Sequence, residues 1–368
     1  MTNWFPIANA SQIASPALLV YPDRARENIR LMIRTAGSAS RLRPHIKTHK
    51  MAELVQMQIE EGISKFKCAT IAEAELAARA GARDILIAYP ILGPNIQRLL
   101  ALIRQFPETR FLSVADDASG VCALAQAFAA SNLNAELLLD LDIGQHRTGI
   151  EPGPKAMELY RLISSTPGAA PGGLHIYDGH ITQPELATRK TLCEAAFATA
   201  DTFRRELVAS NLPVPRVVAG GTPTFPIHAK REGIECSPGT CVLWDFGYSS
   251  KFPELEFLHA ALVLTRVISK PGPNRVCLDL GHKAIGPENP PPRVSFLNLP
   301  DARPISHSEE HLVIESPAAA SLNVGDSLYG VPSHVCPTVA LYMEANIVRD
   351  GRAAETWRVA ARDRRITI

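Results

Sequence analysis

The chain has 368 residues, of which 46% are hydrophobic and 20% are charged, and its formal net charge is +1. This composition is typical of a globular protein that is long enough for one large domain and one smaller domain. Charges of both signs are scattered along the chain, and no block of Lys and Arg indicates a face for nucleic acid or an anionic membrane. We therefore expect neither as a partner.

The N-terminus and the cysteines suggest a cellular compartment. The opening MTNWFPIANASQ lacks a basic segment followed by a long apolar run, so no signal peptide is predicted. No stretch reaches the roughly 18 apolar residues of a membrane helix. The seven cysteines include no CxxC pair, which favours reduced thiols and a cytoplasmic protein.

From about residue 17 to residue 245, short apolar runs alternate with longer amphipathic segments rich in alanine. The expected strands, in chain order, are ALLVY, RLRPHIK (41–47), KFKCA (65–69), DILIAY (84–89), RFLSVAD (110–116), AELLLDLDIG (135–144), GGLHIYDG (172–179), RVVAGG (216–221) and IECSPGTCVLWD (234–245). About eight βα units in a row indicate a parallel barrel or a doubly wound sheet. Their number and length favour a (β/α)8 barrel, which we assign to residues 17–248.

After about residue 250 the helical patterns end. Short β-rich runs separated by Pro and Gly take their place, among them ALVLTRVIS, NRVCLDLG, HLVIE, DSLYGV, EANIVRDG and WRVAAR. They predict an all-β domain over residues 249–368, on which residues 1–16 could pack. The expected fold class is therefore α/β, a (β/α)8 barrel followed by a C-terminal all-β domain.

Polar residues gather at the predicted C-terminal ends of the barrel strands, where such folds build their sites. RPHIKTHK (43–50) places Lys47 at the end of an early strand, among Arg43, His45, His49 and Lys50. Burying a lysine in a barrel disfavours its charged form and lowers its pKa, as a Schiff-base lysine requires. The alternative is a basic loop in water.

RPHIKTHK resembles the cofactor-lysine motif of the D-threonine aldolase and D-serine dehydratase group. These are fold-type III enzymes that use pyridoxal 5'-phosphate (PLP) and are related to alanine racemase. The resemblance runs from SPALLVYPDRARENI to WRVAARDR, nearly the whole chain. It implies a PLP-binding barrel followed by a β-domain, with Lys47 as the lysine that carries PLP and His45 beside it. It also implies a homodimer.

Two further segments follow apolar strands. DLDIGQHRTG (140–149) places Arg147 to donate hydrogen bonds to a phenolate or a carboxylate, and it resembles the family segment whose arginine lies beside the cofactor ring oxygen. HIYDGH (175–180) offers Tyr177 to face the PLP ring and His180 as an acid or base. A hydrogen-bonded structural histidine is the alternative for His180.

AGGTPT (219–224) and SPGT (237–240) are turns of small residues after the last two barrel strands. Glycines allow backbone N–H groups to approach an anion, and barrels commonly bind phosphate at these two loops. The residues expected to bind the PLP phosphate are Gly220, Gly221, Thr222, Gly239 and Thr240. The family resemblance places the phosphate there as well.

PSHVCPT (332–338) carries His334 and Cys336, which point to the same side of an extended segment. A histidine with a thiolate suits zinc, although a buried cysteine beside a turn histidine is the alternative from these residues alone. The resemblance implies a divalent metal, zinc or else manganese or magnesium, on this triplet near the PLP. We assign no role to the neighbouring Glu309, Glu310 and His311.

The resemblance implies a PLP- and metal-dependent lyase that acts on small D-3-hydroxy amino acids. Retro-aldol cleavage would give glycine and an aldehyde, whereas β-elimination would give a 2-oxo acid and ammonia. The general run of the chain resembles the aldolase branch, so D-threonine aldolase-like cleavage is our first expectation. Cys336 stands where aldolases of the group usually have aspartate and dehydratases have cysteine, so dehydration of D-serine or D-threo-3-hydroxyaspartate is the alternative.

Two other functions remain open at this stage. An amino-acid racemase of this fold needs a second base and no metal, and we find no tyrosine motif for that base. A non-catalytic PLP-binding protein is usually a barrel alone, whereas this chain continues into a β-domain and carries the HxC triplet.

Overall fold

A computed structural model describes residues 3–368, and the chain forms two compact units. The barrel unit comprises residues 31–47, 52–239 and 363–368. The β unit comprises the described residues up to Arg30 together with residues 48–51 and 240–362.

The strands and helices follow the predicted order closely. The strands are β1 (Ala17–Val20), β2 (Lys65–Cys68), β3 (Asp84–Pro90), β4 (Arg110–Ala115), β5 (Ala135–Leu141), β6 (Ala169–Ile176), β7 (Val217–Ala219), β8 (Ile234–Cys236), β9 (Ala261–Gly272), β10 (Arg275–Leu278), β11 (Val294–Phe296), β12 (Arg303–His307), β13 (Leu312–Glu315), β14 (Ser327–Pro332), β15 (Glu344–Arg349) and β16 (Arg352–Arg358). The helices are α1 (Pro22–Ala36), α2 (Ala52–Glu60), α3 (Ile71–Arg79), α4 (Asn95–Gln105), α5 (Ala118–Ala129), α6 (Pro154–Ser165), α7 (Leu186–Ala209), α8 (Phe225–His228), α9 (Phe246–Lys251) and α10 (Val335–Leu341).

The barrel unit contains a parallel sheet in the order β2-β3-β4-β5-β6-β7-β8. The segment 42–45 closes this sheet, because Leu42 bridges Cys236 on β8 and His45 bridges Lys67 on β2, both in parallel. Pro44 lies in the segment and has no N–H to donate, which helps to explain why no regular strand forms here. The predicted parallel barrel is confirmed as a fold class, with seven regular strands rather than eight.

The apolar strands are buried on both faces, as a parallel sheet covered by helices requires. Leu137, Leu138 and Leu139 of β5 are fully buried. Polar caps start the helices that follow such strands. Thr70 accepts a hydrogen bond from the Glu73 N–H at the start of α3, and Asp117 accepts one from the Gly120 N–H at the start of α5.

The β unit contains a nine-stranded, mostly antiparallel sheet. Its main order is β12-β13-β10-β9-β1-β15-β16, and β14 pairs with β9 and with β11. This is the expected β-domain, although the sequence analysis did not predict β11 or β12. Phe5 and Ile7 share a hydrophobic cluster with Leu19 and Leu262.

The segment ALLVY does not form the first strand of the barrel, as its position in the βα series had predicted. β1 pairs antiparallel with β9 and parallel with β15, inside the sheet of the β unit. All four β1 residues are buried, so the run lacks the alternation that would distinguish one sheet from another. The β unit also resumes at Thr240, before the predicted boundary at residue 249.

The longest helix of the described residues is α7, with 24 residues. None of the helices formed by residues 3–368 is both long enough and apolar enough to cross a lipid bilayer.

Candidate active site

Lys47 lies immediately after the short segment that closes the barrel, in a 3-10 turn formed by residues 46–48. The preceding His45 is fixed on both sides. Its N–H donates to the Pro238 carbonyl at 2.8 Å, and its Nδ1 accepts a hydrogen bond from the Lys47 N–H at 3.3 Å. Lys47 is half-buried. Lys47 therefore follows the C-terminal end of the closing segment of the barrel.

The ring of Tyr177 is the centre of a cluster at this end of the barrel. The Arg147 guanidinium carbon lies 4.9 Å from the ring centroid, within the range of a cation–π contact. Gly221 packs so close that an added Cβ would lie 3.1 Å from the ring. Three of the residues predicted from separate motifs are therefore neighbours.

A second lysine in this cluster escaped the sequence analysis. Lys67, near the end of β2, is 2% exposed, and its Nζ lies 5.6 Å from the Tyr177 ring centroid. Burial and the positive charge of Lys47 lower the pKa of Lys67 from 10.5 to about 7. Lys67 lies near the end of a strand in KFKCA. The criterion that identified Lys47, a lysine at a strand end, could therefore have identified Lys67 as well.

Asp140 and His175 form a hydrogen-bonded pair on the neighbouring strands β5 and β6. Asp140 Oδ1 and His175 Nδ1 are 2.7 Å apart, and Asp140 Oδ2 accepts a hydrogen bond from Thr148 at 2.9 Å. The buried Nε2 of His175 has no hydrogen-bond partner among the described residues. His175 precedes Tyr177 by two residues, a spacing that in a strand places both side chains on one face.

The two predicted phosphate turns are linked to each other. Gly220 adopts a φ of +80°, and the Gly239 N–H donates to Thr222 Oγ1 at 3.2 Å. The Gly221 N–H donates to Asp178 Oδ1 at 3.1 Å. The Gly221 and Gly239 N–H groups thus both have acceptors within the protein.

Asp178 is the buried anchor of the first turn. Its Oδ1 also accepts a hydrogen bond from Thr224 Oγ1 at 2.8 Å, and its Oδ2 lies 2.8 Å from His228 Nε2. Burial alone would raise the pKa of Asp178, but the hydrogen bond and charge of His228, with Thr224, hold it below its usual value. Cys193 lies beside them, with its Sγ 3.4 Å from His228 Nε2.

His180 lies apart from these groups. It is exposed, and its ring is adjacent to Gly144, where an added Cβ would lie 3.0 Å from Nε2. Arg43, from the lysine motif, is structural. It is buried in ion pairs with Asp84 at 2.6 Å and Glu235 at 2.7 Å. His49 is buried as well, and burial lowers its pKa to about 3.

The metal triplet lies in the β unit, and its local structure differs from the predicted one. His334 is extended, but Cys336 lies in the first turn of α10 rather than in an extended segment. The two side chains nevertheless interact. Burial would lower the pKa of His334, but the hydrogen bond to Cys336 and the contact with Glu288 raise it to about 9. His334 Nδ1 lies 2.5 Å from Glu288 Oε1.

Other polar groups of the β unit surround this triplet. Asp245 is buried and accepts hydrogen bonds from the N–H groups of Tyr248 at 2.9 Å and Val335 at 3.1 Å. Burial raises the pKa of Asp245 to about 6. The hydroxyls of Thr48 and Thr240 lie 3.2 Å and 3.8 Å from Cys336 Sγ. Thr240 was predicted to bind phosphate, and the contact described here is with the cysteine.

The acidic segment before β13 does not join the triplet in any contact that we find among the described residues. Glu309 and Glu310 instead pair with Lys283, at 3.5 Å and 3.2 Å, and all three side chains are exposed.

Comparisons with known proteins agree with this architecture. The family model "Alanine racemase, N-terminal domain" matches residues 20–244, and "Putative serine dehydratase domain" matches residues 260–348. A D-threonine aldolase of Arthrobacter sp is 30% identical over 96% of this chain and 93% of its own length. The crystal structure of D-threonine aldolase from Filomicrobium marinum has a TM-score of 0.89 at 28% identity, covering 97% of both chains. A D-threo-3-hydroxyaspartate dehydratase of Delftia sp. (strain HT23) is 29% identical over 63% of this chain and 61% of its own length.

The barrel and the β-domain, together with these family matches, define a PLP-dependent enzyme of fold-type III. Within that class, the chain belongs to the family of D-threonine aldolases and D-serine dehydratases, and it is a lyase.

Proposed function

We propose that this protein is a PLP- and divalent-metal-dependent lyase that cleaves D-3-hydroxy amino acids in the manner of a D-threonine aldolase. The observation that carries the proposal is the group of residues at the C-terminal end of the barrel. These residues come from four separate motifs: Lys47, Arg147, Tyr177 and the Gly220–Thr222 turn. Arg147 and Gly221 both contact the Tyr177 ring, and Thr222 accepts a hydrogen bond from Gly239.

The residues of the barrel unit fit PLP. Gly221 packs closely against the Tyr177 ring, with 3.1 Å between an added Cβ and the ring, so the glycine turn and a flat aromatic surface lie side by side. The buried, unpartnered Nε2 of His175 offers a further polar contact. Lys47 would hold the cofactor, and Gly220, Gly221, Thr222 and Gly239 would bind its phosphate. When bound, PLP supplies an electron sink for charge that develops at the substrate Cα.

The residues of the β unit fit a divalent metal ion. His334 and Cys336 offer nitrogen and sulfur, the donors that zinc prefers. His334 uses Nδ1 toward Glu288, which leaves Nε2 for a metal and provides the carboxylate that commonly orients a ligating histidine. When bound, the ion supplies a Lewis acid for an oxygen of the substrate. Manganese and magnesium are the alternatives to zinc.

The chain's own groups provide the proton transfers. The Lys47 amine is the proposed base for the Cα proton if the reaction is an elimination, and His180 is proposed as an additional acid or base. Arg147, which is held against Tyr177, would orient the cofactor through its fixed positive charge.

One observation favours dehydration as the second candidate. Cys336 is the ligand type of the dehydratases, and a thiolate selects zinc more strongly than a carboxylate does. Elimination would convert D-serine or D-threo-3-hydroxyaspartate to a 2-oxo acid and ammonia.

Product analysis with D-threonine and D-serine separates the two reactions. Glycine and acetaldehyde from D-threonine, with little turnover of L-threonine, are the expected products, whereas a 2-oxo acid with ammonia would establish dehydration. Cys336→Asp should reduce formation of any 2-oxo acid and shift the metal preference toward manganese. If no D-3-hydroxy amino acid is cleaved and a plain D-amino acid is racemised, the lyase proposal is wrong.

We further propose that the enzyme is a cytoplasmic homodimer with no nucleic-acid or membrane partner. No disulfide joins any of the seven cysteines, all of which lie within residues 3–368, and this suits a reducing compartment. The dimer rests on family resemblance, and light scattering of the purified protein measures it directly.

A further inference from the structure

A series of hydrogen-bonded polar groups that the proposed reaction does not use lies next to the first phosphate turn. It begins at Arg231, in the loop before β8, whose NH1 lies 2.9 Å from His228 Nδ1. It continues from His228 Nε2 to Asp178 Oδ2 at 2.8 Å. It ends where Asp178 Oδ1 accepts hydrogen bonds from Gly221 and Thr224. His228 and Asp178 are at most 1% exposed.

The donors and acceptors in this series determine which nitrogen of His228 carries its proton. A guanidinium has only donors, so His228 Nδ1 must accept from Arg231. Its Nε2 then carries the proton and donates to the Asp178 carboxylate. Each group thus determines the role of the next, and the carboxylate is left with Oδ1 for the turn.

The contacts at Gly220 and Gly221 show why this matters for the turn. At Gly220 an added Cβ would lie 2.6 Å from His228 Cδ2, so the histidine ring packs directly against the backbone of the turn. The Gly221 N–H is held by Asp178, and the Thr224 hydroxyl is held by the same oxygen. Contacts with His228 and Asp178 therefore fix the path of the backbone through residues 220–224.

We propose that Arg231, His228 and Asp178 form a hydrogen-bonded relay that holds the Gly220–Thr224 turn in the conformation that binds the PLP phosphate. The inference rests on the proposed PLP site and extends it to residues that do not touch the cofactor. They are positioning residues. Their expected contribution is to cofactor affinity rather than to the chemical step.

A buried metal site is the competing interpretation of the same residues. Ligand atoms of Asp178, Cys193 and His228 lie within 4.8 Å of one another. Arg231, however, donates to His228 Nδ1 and lies 3.8 Å from Cys193 Sγ, so a fixed positive charge beside the ligand atoms opposes the binding of a second cation. Burial and the negative charge of Asp178 also raise the pKa of Cys193 to about 12, which keeps the thiol protonated. The relay accounts for these contacts without a metal.

Asp178→Asn tests the relay because of the fixed tautomer. The substituted amide has one acceptor and one donor end. The amide NH2 must face either the His228 Nε2–H or the Gly221 N–H and the Thr224 hydroxyl. In either arrangement, two hydrogen-bond donors face each other. Protein freed of PLP should then bind PLP about tenfold more weakly, or weaker still, in a spectroscopic titration. The melting temperature of the cofactor-free protein is measured alongside.

Arg231→Met in the Asp178→Asn background provides the rescue. Without the guanidinium, the His228 proton can move to Nδ1, and Nε2 can accept from the new amide. The double variant should therefore recover part of the lost PLP affinity, although Arg231→Met alone weakens it. Cys193→Ala is the matched control, since it alters the same buried cluster without breaking the relay, and it should bind PLP within twofold of the wild type.

The outcomes are distinct. Unchanged PLP affinity in Asp178→Asn, with only a lower melting temperature, would show a purely structural role and overturn the relay. So would strictly additive losses in the double variant. Loss of one bound metal ion per chain in Cys193→Ala would establish the metal site instead. If the wild type itself fails to bind PLP, the proposed function fails before the relay is tested.

Discussion

At the residue scale, two cationic side chains lie close to the Tyr177 ring, Arg147 at 4.9 Å and Lys67 at 5.6 Å from its centroid. Lys47, Arg147 and Tyr177 were predicted from strand-end motifs, and the fold places all three at the same end of the barrel. Lys67, Asp140, Asp178 and His228 were missed as members of the site. Their importance depends on which side chain each one meets across the barrel, and spacing along one strand cannot show that.

Lys67 offers a direct test of the environment inside the barrel. Its pKa is lower in the folded chain than in the unfolded chain, so the unfolded state binds more protons between about pH 7 and pH 10.5. Stability therefore rises with pH across this window, and the burial penalty is fully present below pH 7. Lys67→Met removes the penalty. The free energy of unfolding of the cofactor-free variant should exceed that of the wild type most at pH 6.5.

That difference should shrink by roughly 2 kcal/mol as the pH rises from 7 to 9, measured by urea unfolding. Lys155→Met, at an exposed lysine, is the control and should show a nearly constant difference. If the difference in unfolding free energy between Lys67→Met and the wild type stays constant or grows with pH, the pKa of Lys67 is not lowered toward 7.

At the element scale, most barrel strands matched their predicted runs, and the departures have local causes. IECSPGTCVLWD gives only the three residues of β8, because Pro238 cannot donate to a ladder and residues 240–242 form a 3-10 turn. In the metal triplet, α10 begins directly after His334, so Cys336 is helical. A seven-residue helix is too short for its periodicity to be read in PSHVCPT.

Removal of the metal should affect the proposed ligands His334 and Cys336 at the start of α10. Chelation, or His334→Ala, should abolish lyase activity while leaving the absorbance of bound PLP largely unchanged, because the proposed metal ligands and Lys47 are different residues. Metal content is measured by elemental analysis before and after chelation. His311→Ala, at an exposed histidine of the same β unit, is the control and should retain both metal and activity. Full activity in metal-free protein would exclude the proposed metal site.

At the scale of the whole molecule, the order of a barrel followed by a β-domain was predictable, but the assignment of every segment was not. The β unit is assembled from three separate stretches of chain, and Leu19 of β1 is paired with Asn346 of β15. Such a pairing joins residues more than three hundred positions apart. Local hydrophobic periodicity carries no information about it, so the first strand was assigned to its nearest neighbours in sequence.

Reduction with borohydride shows directly whether PLP is bound to Lys47. The purified protein should show the yellow absorbance of a lysine-bound cofactor. After reduction and proteolysis, mass spectrometry should find the phosphopyridoxyl group on the peptide that contains Lys47, with none on Lys50, Lys67 or Lys283. Label on one of those other lysines, or no label on a protein saturated with PLP, would show that Lys47 does not carry the cofactor.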